Sequence, residues 1–323
     1  MKLNLTKRKI LVLVSIIFGA IVFLSAGIFA YLHFCRNIYI VFNTDRNYKE
    51  YTKVAIASAI INKKERSKYK INVLCVDLSE DERKEFEEFS DKNVTVKTVP
   101  LELSSIERIE NYEMEHYVSR ADLFKFFIPE LFPKINKILY IDSDTLILSD
   151  LSDLYNTNIS KYPLAAVKKP DYFAYLKDTE DGKTQVKKVY SYNCGVILFN
   201  AKFFRDNKIT KNLINSKNNY KIRTLQTQAN FNMVIKIKQI KLLSPIYNTY
   251  ARLQNSDFET YEFKKIYKPF LDDINSMNEL RKKAVIVHFA GPNKPWKNDN
   301  IYFGKVWWAY AKVINPDWKL EKQ

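Results

Sequence analysis

The chain has 323 residues, 46% hydrophobic and 14% aromatic, enough to bury a large core and incompatible with an intrinsically disordered protein. Its 52 basic and 36 acidic residues leave a formal charge of +16 scattered in short runs such as Lys7 to Lys9. Such scatter makes no nucleic-acid-binding stripe; it fits a solvated basic surface, or attraction to anionic lipid or a phosphorylated substrate. Three cysteines, Cys35, Cys75 and Cys194, are too few and too far apart for a disulfide framework or a CxxC metal site.

After a basic tail, residues 1–9, the run from Ile10 to Leu32 is uncharged and apolar. At about 1.5 Å per residue such a run crosses a hydrocarbon core of about 30 Å, which predicts one membrane helix over residues 10–34 and a single-pass membrane protein. A cleaved signal peptide is the alternative. Lys2, Lys7, Arg8 and Lys9 before the run are balanced by Arg36, Arg46, Lys49 and Lys53 after it, so the sequence leaves open which side carries the folded part.

Ile38 to Phe42 then reads as a buried strand that stops at Asn43-Thr44-Asp45, and Lys53 to Ile61 as a helix. Ile71 to Leu78 is a second strand. Ser79 and Glu82 form the signature of a capping box opening a helix, and Val94 to Pro100 is a third strand. Ser119 to Phe132 has helical spacing and is expected to end near Pro129. The strand KILYIDSDTLIL, Lys137 to Leu148, follows; after a polar span from Lys168 to Lys188 come strands at Tyr192 to Asn200 and Ala284 to Gly291. Strands alternating with helices predict an α/β fold with a mainly parallel sheet covered on both faces.

Ligands bind such sheets beyond the carboxyl ends of the strands, and Asp45, Asp142 and His288 each stand at the end of one. Asp142 and Asp144, two residues apart on extended chain, project to one side and could share a hard divalent cation; His288 is a candidate third ligand, with Lys125 and Lys294 as cationic contacts to a diphosphate. The plainer alternative has both acids capping the turn of SDLSDLY and facing water. DSDTL also nearly fits the DxDx(T/V) motif of haloacid-dehalogenase-like phosphatases, with Leu146 spoiling the fifth position.

Taken together, FNTDRNY, ADLFKFFIPELFP, KILYIDSDTLIL, YNCGVILFN and HFAGPNKPW resemble, in order, the motifs of glycosyltransferase family 8, from Ile38 to about Trp296. The resemblance implies a Rossmann-like nucleotide-diphospho-sugar transferase fold of GT-A type with a mixed sheet. It implies a retaining hexosyltransferase that takes a UDP-sugar, uses manganese or magnesium, and acts on a glycan or glycolipid acceptor such as lipopolysaccharide. Residues 37–250 would form the catalytic domain, and residues 251–323 would complete the donor site. Carried over position by position, Asp142, Asp144 and His288 would hold the metal, and Thr44, Asp45, Asn47, Tyr48, Ser143, Gly291 and Lys294 would contact the nucleotide. Gln228, Lys125 and Asn193 would face the reacting sugar. The chain departs from the family where Thr227 and Ala229 replace two acids around Gln228, which keeps a non-catalytic scaffold or binding protein as an alternative.

Overall fold

The structure, a computed structural model, describes residues 14–25, 37–102, 120–178, 184–219 and 226–320. Of the membrane helix expected over residues 10–34, residues 14–25 form α1, and the rest lies outside the described residues. No helix among the described residues is long and apolar enough to cross a membrane, so the single-pass membrane protein and its membrane partner are not upheld.

The main body begins with β1 (Asn37–Thr44), α2 (Lys49–Ile61), β2 (Lys68–Val76), α3 (Glu80–Glu87) and β3 (Val94–Leu101). A 3₁₀ helix (Arg120–Phe127) leads through α4 (Ile128–Leu131) to β4 (Lys137–Ile141), β5 (Thr145–Ile147) and α5 (Ser152–Asn156). Next come β6 (Leu164–Asp178), β7 (Thr184–Asn200), α6 (Ala201–Asp206), α7 (Ile209–Asn219) and α8 (Gln226–Val234). Short elements follow: β8 (Lys241–Leu242), β9 (Thr249–Tyr250), α9 (Asn255–Phe258), α10 (Tyr261–Tyr267), α11 (Met277–Lys283), β10 (Ile286–His288) and α12 (Gly304–Ile314).

Seven strands pair in the order β3-β2-β1-β4-β7-β6-β8, parallel except where β7 runs against β4 and β6. Alternation along each central strand explains why both faces are covered. Ile40, Phe42, Ile71, Leu139 and Ile141 pack into one apolar layer, and Val41, Leu74, Ile138, Tyr140 and Ile197 into the other. The capping box at α3 forms as expected, Ser79 Oγ accepting from Glu82 N at 3.2 Å and Glu82 Oε2 from Ser79 N at 2.8 Å.

Three local expectations are corrected. Pro129 opens α4 instead of closing a helix, because a first-turn residue has no intrahelical use for the N–H that proline lacks. The polar span from Lys168 to Lys188 is largely strand: β6 and β7 form a long antiparallel ribbon, paired from Tyr172↔Tyr190 to Asp178↔Thr184. A two-stranded ribbon reaching past the sheet needs no continuous apolar run, the signal by which strands were recognised. KILYIDSDTLIL is two strands, since β5 leaves the main sheet and joins β10 and β9 in a small second sheet, with Thr145 opposite His288.

The C-terminal aromatics pack inward. Trp307 is fully buried, and Tyr51 of α2 stacks on Trp296 with centroids 3.7 Å apart and planes 7° apart. This cluster ties HFAGPNKPW to the helix that follows β1.

Candidate active site

Asp142, Ser143 and Asp144 form the joint between the two sheets, and that placement is what aims two acids at one point. The Asp142 amide is held by the Gly195 carbonyl at 2.7 Å, and the Asp144 carbonyl accepts from Phe289 N at 2.9 Å. Pairing of β10 with β5 brings His288, 3% exposed, to the same place. His288 Nε2 lies 3.1 Å from Asp144 Oδ1 and 3.7 Å from Asp142 Oδ2, and one ligand atom from each of the three residues falls within 4.8 Å of the others. The turn of SDLSDLY is capped by Asp150, whose Oδ1 accepts from Ser152 N at 2.9 Å, so Asp142 and Asp144 do not serve there.

Each acid turns one oxygen toward His288 and gives the other to a lysine. Lys294 Nζ sits 2.5 Å from Asp144 Oδ2 and 2.8 Å from the Phe289 carbonyl. Lys125, 2% exposed, lies 3.0 Å from Asp142 Oδ1 and 2.5 Å from Asp122 Oδ1, and stands over the Tyr140 ring at 4.8 Å. The Tyr140 hydroxyl is 2.5 Å from the same Asp142 oxygen. Burial pushes the Asp142 carboxyl up, with Lys125 opposing and Asp144 and Asp122 adding to the rise. Burial also works against the charge on Asp144, yet Lys294 and His288 hold its carboxyl well below the usual range. Burial disfavours the Lys125 cation as well, but Asp122 and Asp142 keep it above the usual lysine range. The two acids in one site are thereby driven apart, the Asp144 carboxyl lowered and the Asp142 carboxyl raised.

The donor set suits a hard divalent cation: two carboxylate oxygens and an imidazole nitrogen, each fixed from behind. Gly195 keeps the space open, because a Cβ there would lie 2.2 Å from His288 Cε1 and 2.7 Å from Asp142 Oδ2.

The β1 end adjoins this centre. Thr44 is buried, and Thr52 Oγ1 lies 2.9 Å from Thr44 Oγ1 and 2.8 Å from Ser143 Oγ, which itself donates to the Asn43 carbonyl at 2.5 Å. Asp45 Oδ1 accepts from Tyr48 N at 2.9 Å, closing the turn into α2 and leaving Asn47 exposed. The Tyr48 ring meets Trp296 edge-on at 6.0 Å. Gly291 is exposed in the left-handed region at φ +99°, where the chain leaves β10 toward Lys294. On the far side, Asn193 Nδ2 donates to Gln228 Oε1 at 3.1 Å, and Gln228 Nε2 is buried without a protein partner.

Eleven of the thirteen residues expected from the sequence are linked by hydrogen bonds and ion pairs across the β1 end, the acid joint and the α8 side, while Asn47 and Gly291 stand exposed in the turns after β1 and β10. Sequence reasoning missed Asp122, Thr52, Tyr140 and Asn248. Asp122 carried a legible signal, an acid three residues before Lys125. Thr227, read as a lost acid, donates its hydroxyl to Asp122, so a carboxylate stands beside α8 after all, supplied by the 3₁₀ helix. Ala229 is fully buried in the core.

A mixed sheet with this site at the carboxyl ends of β1 and β4 is an α/β fold of GT-A-like type. LgtC, solved as an active-site mutant, shares the fold with a TM-score of 0.66 at 20% identity, covering 86% of this chain and 96% of that one. The bifunctional glycosyltransferase WbbM does so with a TM-score of 0.64 at 21% identity, covering 85% of this chain and 49% of that one. The sequence matches glycosyl transferase family 8 over residues 39–300, and the chain belongs to that family, which sets aside the phosphatase alternative. General stress protein A of Bacillus subtilis is 27% identical over 81% of this chain and 88% of its own length. Lipopolysaccharide 1,3-galactosyltransferase of Salmonella typhimurium is 22% identical over 86% of this chain and 78% of its own length. Glycosyltransferase GlyA of Streptococcus pneumoniae is 28% identical over 63% of this chain, which spans only 25% of that longer protein.

Proposed function

We propose that the protein is a divalent-metal-dependent, retaining hexosyltransferase that moves a glucose- or galactose-type sugar from a UDP-sugar to a glycan or glycolipid acceptor. The observation that carries this reading is the convergence of Asp142, Asp144 and His288 within 4.8 Å, with Lys125 and Lys294 on their outer oxygens. The galactosyltransferase among the relatives, and an LgtC structure holding donor and acceptor sugar analogues, support the substrate class.

Asp142, Asp144 and His288 would hold manganese or magnesium, which when bound neutralises charge on a diphosphate leaving group. Lys294 and Lys125 bring two further positive charges to that side, where negative charge grows as the anomeric C–O bond breaks. Thr44, Asp45, Asn47, Tyr48 and Ser143 line the place for the nucleoside, and Gly291 lets the backbone approach the phosphates. Gln228 Nε2 and Asn193 face the sugar. Gln228 is a neutral amide flanked by Thr227 and Ala229, and Asp122, the carboxylate that stands beside α8, accepts from Thr227 and pairs with Lys125, which makes it a poor nucleophile. Attack on the same face fits better: the acceptor oxygen bonds to the anomeric carbon as the phosphate oxygen leaves, and that departing oxygen takes the acceptor proton.

The test is UDP release from a panel of UDP-sugars by the whole chain, with manganese and with chelator, beside an Asp142→Asn/Asp144→Asn double variant. Metal-dependent release from one donor, reduced at least 10²-fold in the variant, is the expected result, the order of magnitude of losing a charge-stabilising group. Metal-dependent UDP binding with no release from any donor would favour the scaffold, and no binding of either kind would sink the proposal.

A further inference from the structure

A row of buried amides runs from His288 to Gln228, and one backbone proton sets its direction. Side-chain amides present oxygen or nitrogen to a neighbour with equal ease of shape, so such a row has no polarity until something that can only donate touches it. Gly195 N–H is that group, donating to Asn193 Oδ1 at 2.7 Å. With its oxygen pinned, Asn193 turns Nδ2 toward Gln228 Oε1, 3.1 Å away. Gln228 is then left with Nε2 outermost, 9% exposed as a residue and with no protein acceptor for its two protons.

The same pin works in the other direction. Asn248, 1% exposed, approaches Asn193 Oδ1 at 2.7 Å and must do so through Nδ2. Its Oδ1 is therefore the atom facing His288 Nδ1 at 3.0 Å, and a carbonyl oxygen accepts only from a protonated Nδ1. His288 Nε2, on the other side of the ring, is thereby turned toward the acids, 3.1 Å from Asp144 Oδ1, where a bound cation would take it as a ligand. Asn248 follows the turn Pro245–Tyr247 and directly precedes β9, whose Tyr250 pairs with His288, so its position is tied to that of the ligand strand.

We infer that Asn248 is a positioning residue that joins the two halves of the site, holding His288 as an Nε2 ligand and, through Asn193, Gln228 as a hydrogen-bond donor into the cleft. The inference deepens the transferase reading and rests on it for what the two ends serve, but the amide row itself is a property of the metal-free protein. A leucine at position 248 would fill similar volume while removing both contacts. His288 would then lose the oxygen that holds its Nδ1 proton and fixes the ring, and Asn193 would lose one of the two donors that fix its oxygen.

The experiment is nitrogen-15 NMR of histidine-labelled, metal-free whole chain, in which His288 is one of three histidines and is assigned by its loss in His288→Gln. Wild type is expected to show His288 protonated at Nδ1, and Asn248→Leu to show the Nε2-protonated form or a mixture. Manganese affinity, read by electron paramagnetic resonance, should fall about 10–100-fold in the variant, the usual cost of losing a partner behind a metal-bound histidine. If Asn248→Leu does not fold, Asn248→Ser withdraws the amide and carries the same expectation. An unprotonated His288 Nδ1 in wild type, or a folded variant that keeps the Nδ1 proton and binds manganese within twofold of wild type, overturns the inference. If the tautomer behaves as stated but no UDP-sugar binds, the transferase reading falls and the amide row stands.

Discussion

Replacing Gly195 with alanine tests the site with a single methyl group. A Cβ there would sit 2.2 Å from His288 Cε1, 2.8 Å from His288 Nδ1 and 2.7 Å from Asp142 Oδ2. Ordinary carbon contacts need about 3.5 Å, so the imidazole must retreat by more than about 1 Å or β7 must bow away from it. Metal ligands tolerate roughly 0.2 Å of error, and a 1 Å misplacement in a working site costs on the order of 10²-fold. Gly195→Ala should therefore lose about 10²-fold in manganese–UDP affinity and at least as much in turnover. Its overpacking cost in folding should be only about 1–3 kcal/mol.

Isothermal titration with manganese and UDP, beside a thermal melt, separates the two effects. A folded Gly195→Ala that binds manganese–UDP within threefold of wild type would refute the claim that this glycine holds the space for the ligand set.

Asp122→Asn should lower stability by about 1–3 kcal/mol in denaturant unfolding, because the buried Lys125 cation keeps Asp142 but loses its other acid, and an amide has only one oxygen to offer to Lys125 and Thr227. An effect under 0.5 kcal/mol would show that Asp142 alone carries Lys125. Burial pushes the Cys75 thiol up to about 12, above its value in the unfolded chain of roughly 8.5. Its contribution is therefore full below about pH 8.5 and is lost as pH rises toward the folded value, so wild type should lose about 1–2 kcal/mol more than Cys75→Ala between roughly pH 8.5 and 10. Parallel stability curves for the two proteins would contradict this.

What the sequence disclosed follows from how far each signal reaches along the chain. Asp142 and Asp144 were legible because the strand before them and the spacing between them are local, and His288 because a polar residue ending an apolar strand is conspicuous. The joint between the sheets was not legible: Ile138 to Ile141 and Thr145 to Ile147 have the same apolar character, and only pairing with β10 separates them. Asn248 gave no signal, because a neutral amide after a proline turn looks like any loop residue, and its partners are 55 and 40 positions away. The terminal apolar run misled because composition reports only that a segment is able to cross a membrane.

Thr227 and Ala229 show how a local departure from a pattern is misread when side chains from other elements are unseen. Two missing acids around Gln228 suggested a weakened site, since the sequence neighbours of a residue are the only surroundings a linear reading supplies. In the folded chain the surroundings of α8 include the 3₁₀ helix a hundred residues earlier, where Asp122 accepts from Thr227 and pairs with Lys125. Lys125 in turn bridges to Asp142, so the charge beside Thr227 is linked to the charge at the proposed metal ligands through one buried cation. An additional acid at position 227 would face Asp122 directly and repel it, so threonine there is the residue that the presence of Asp122 requires.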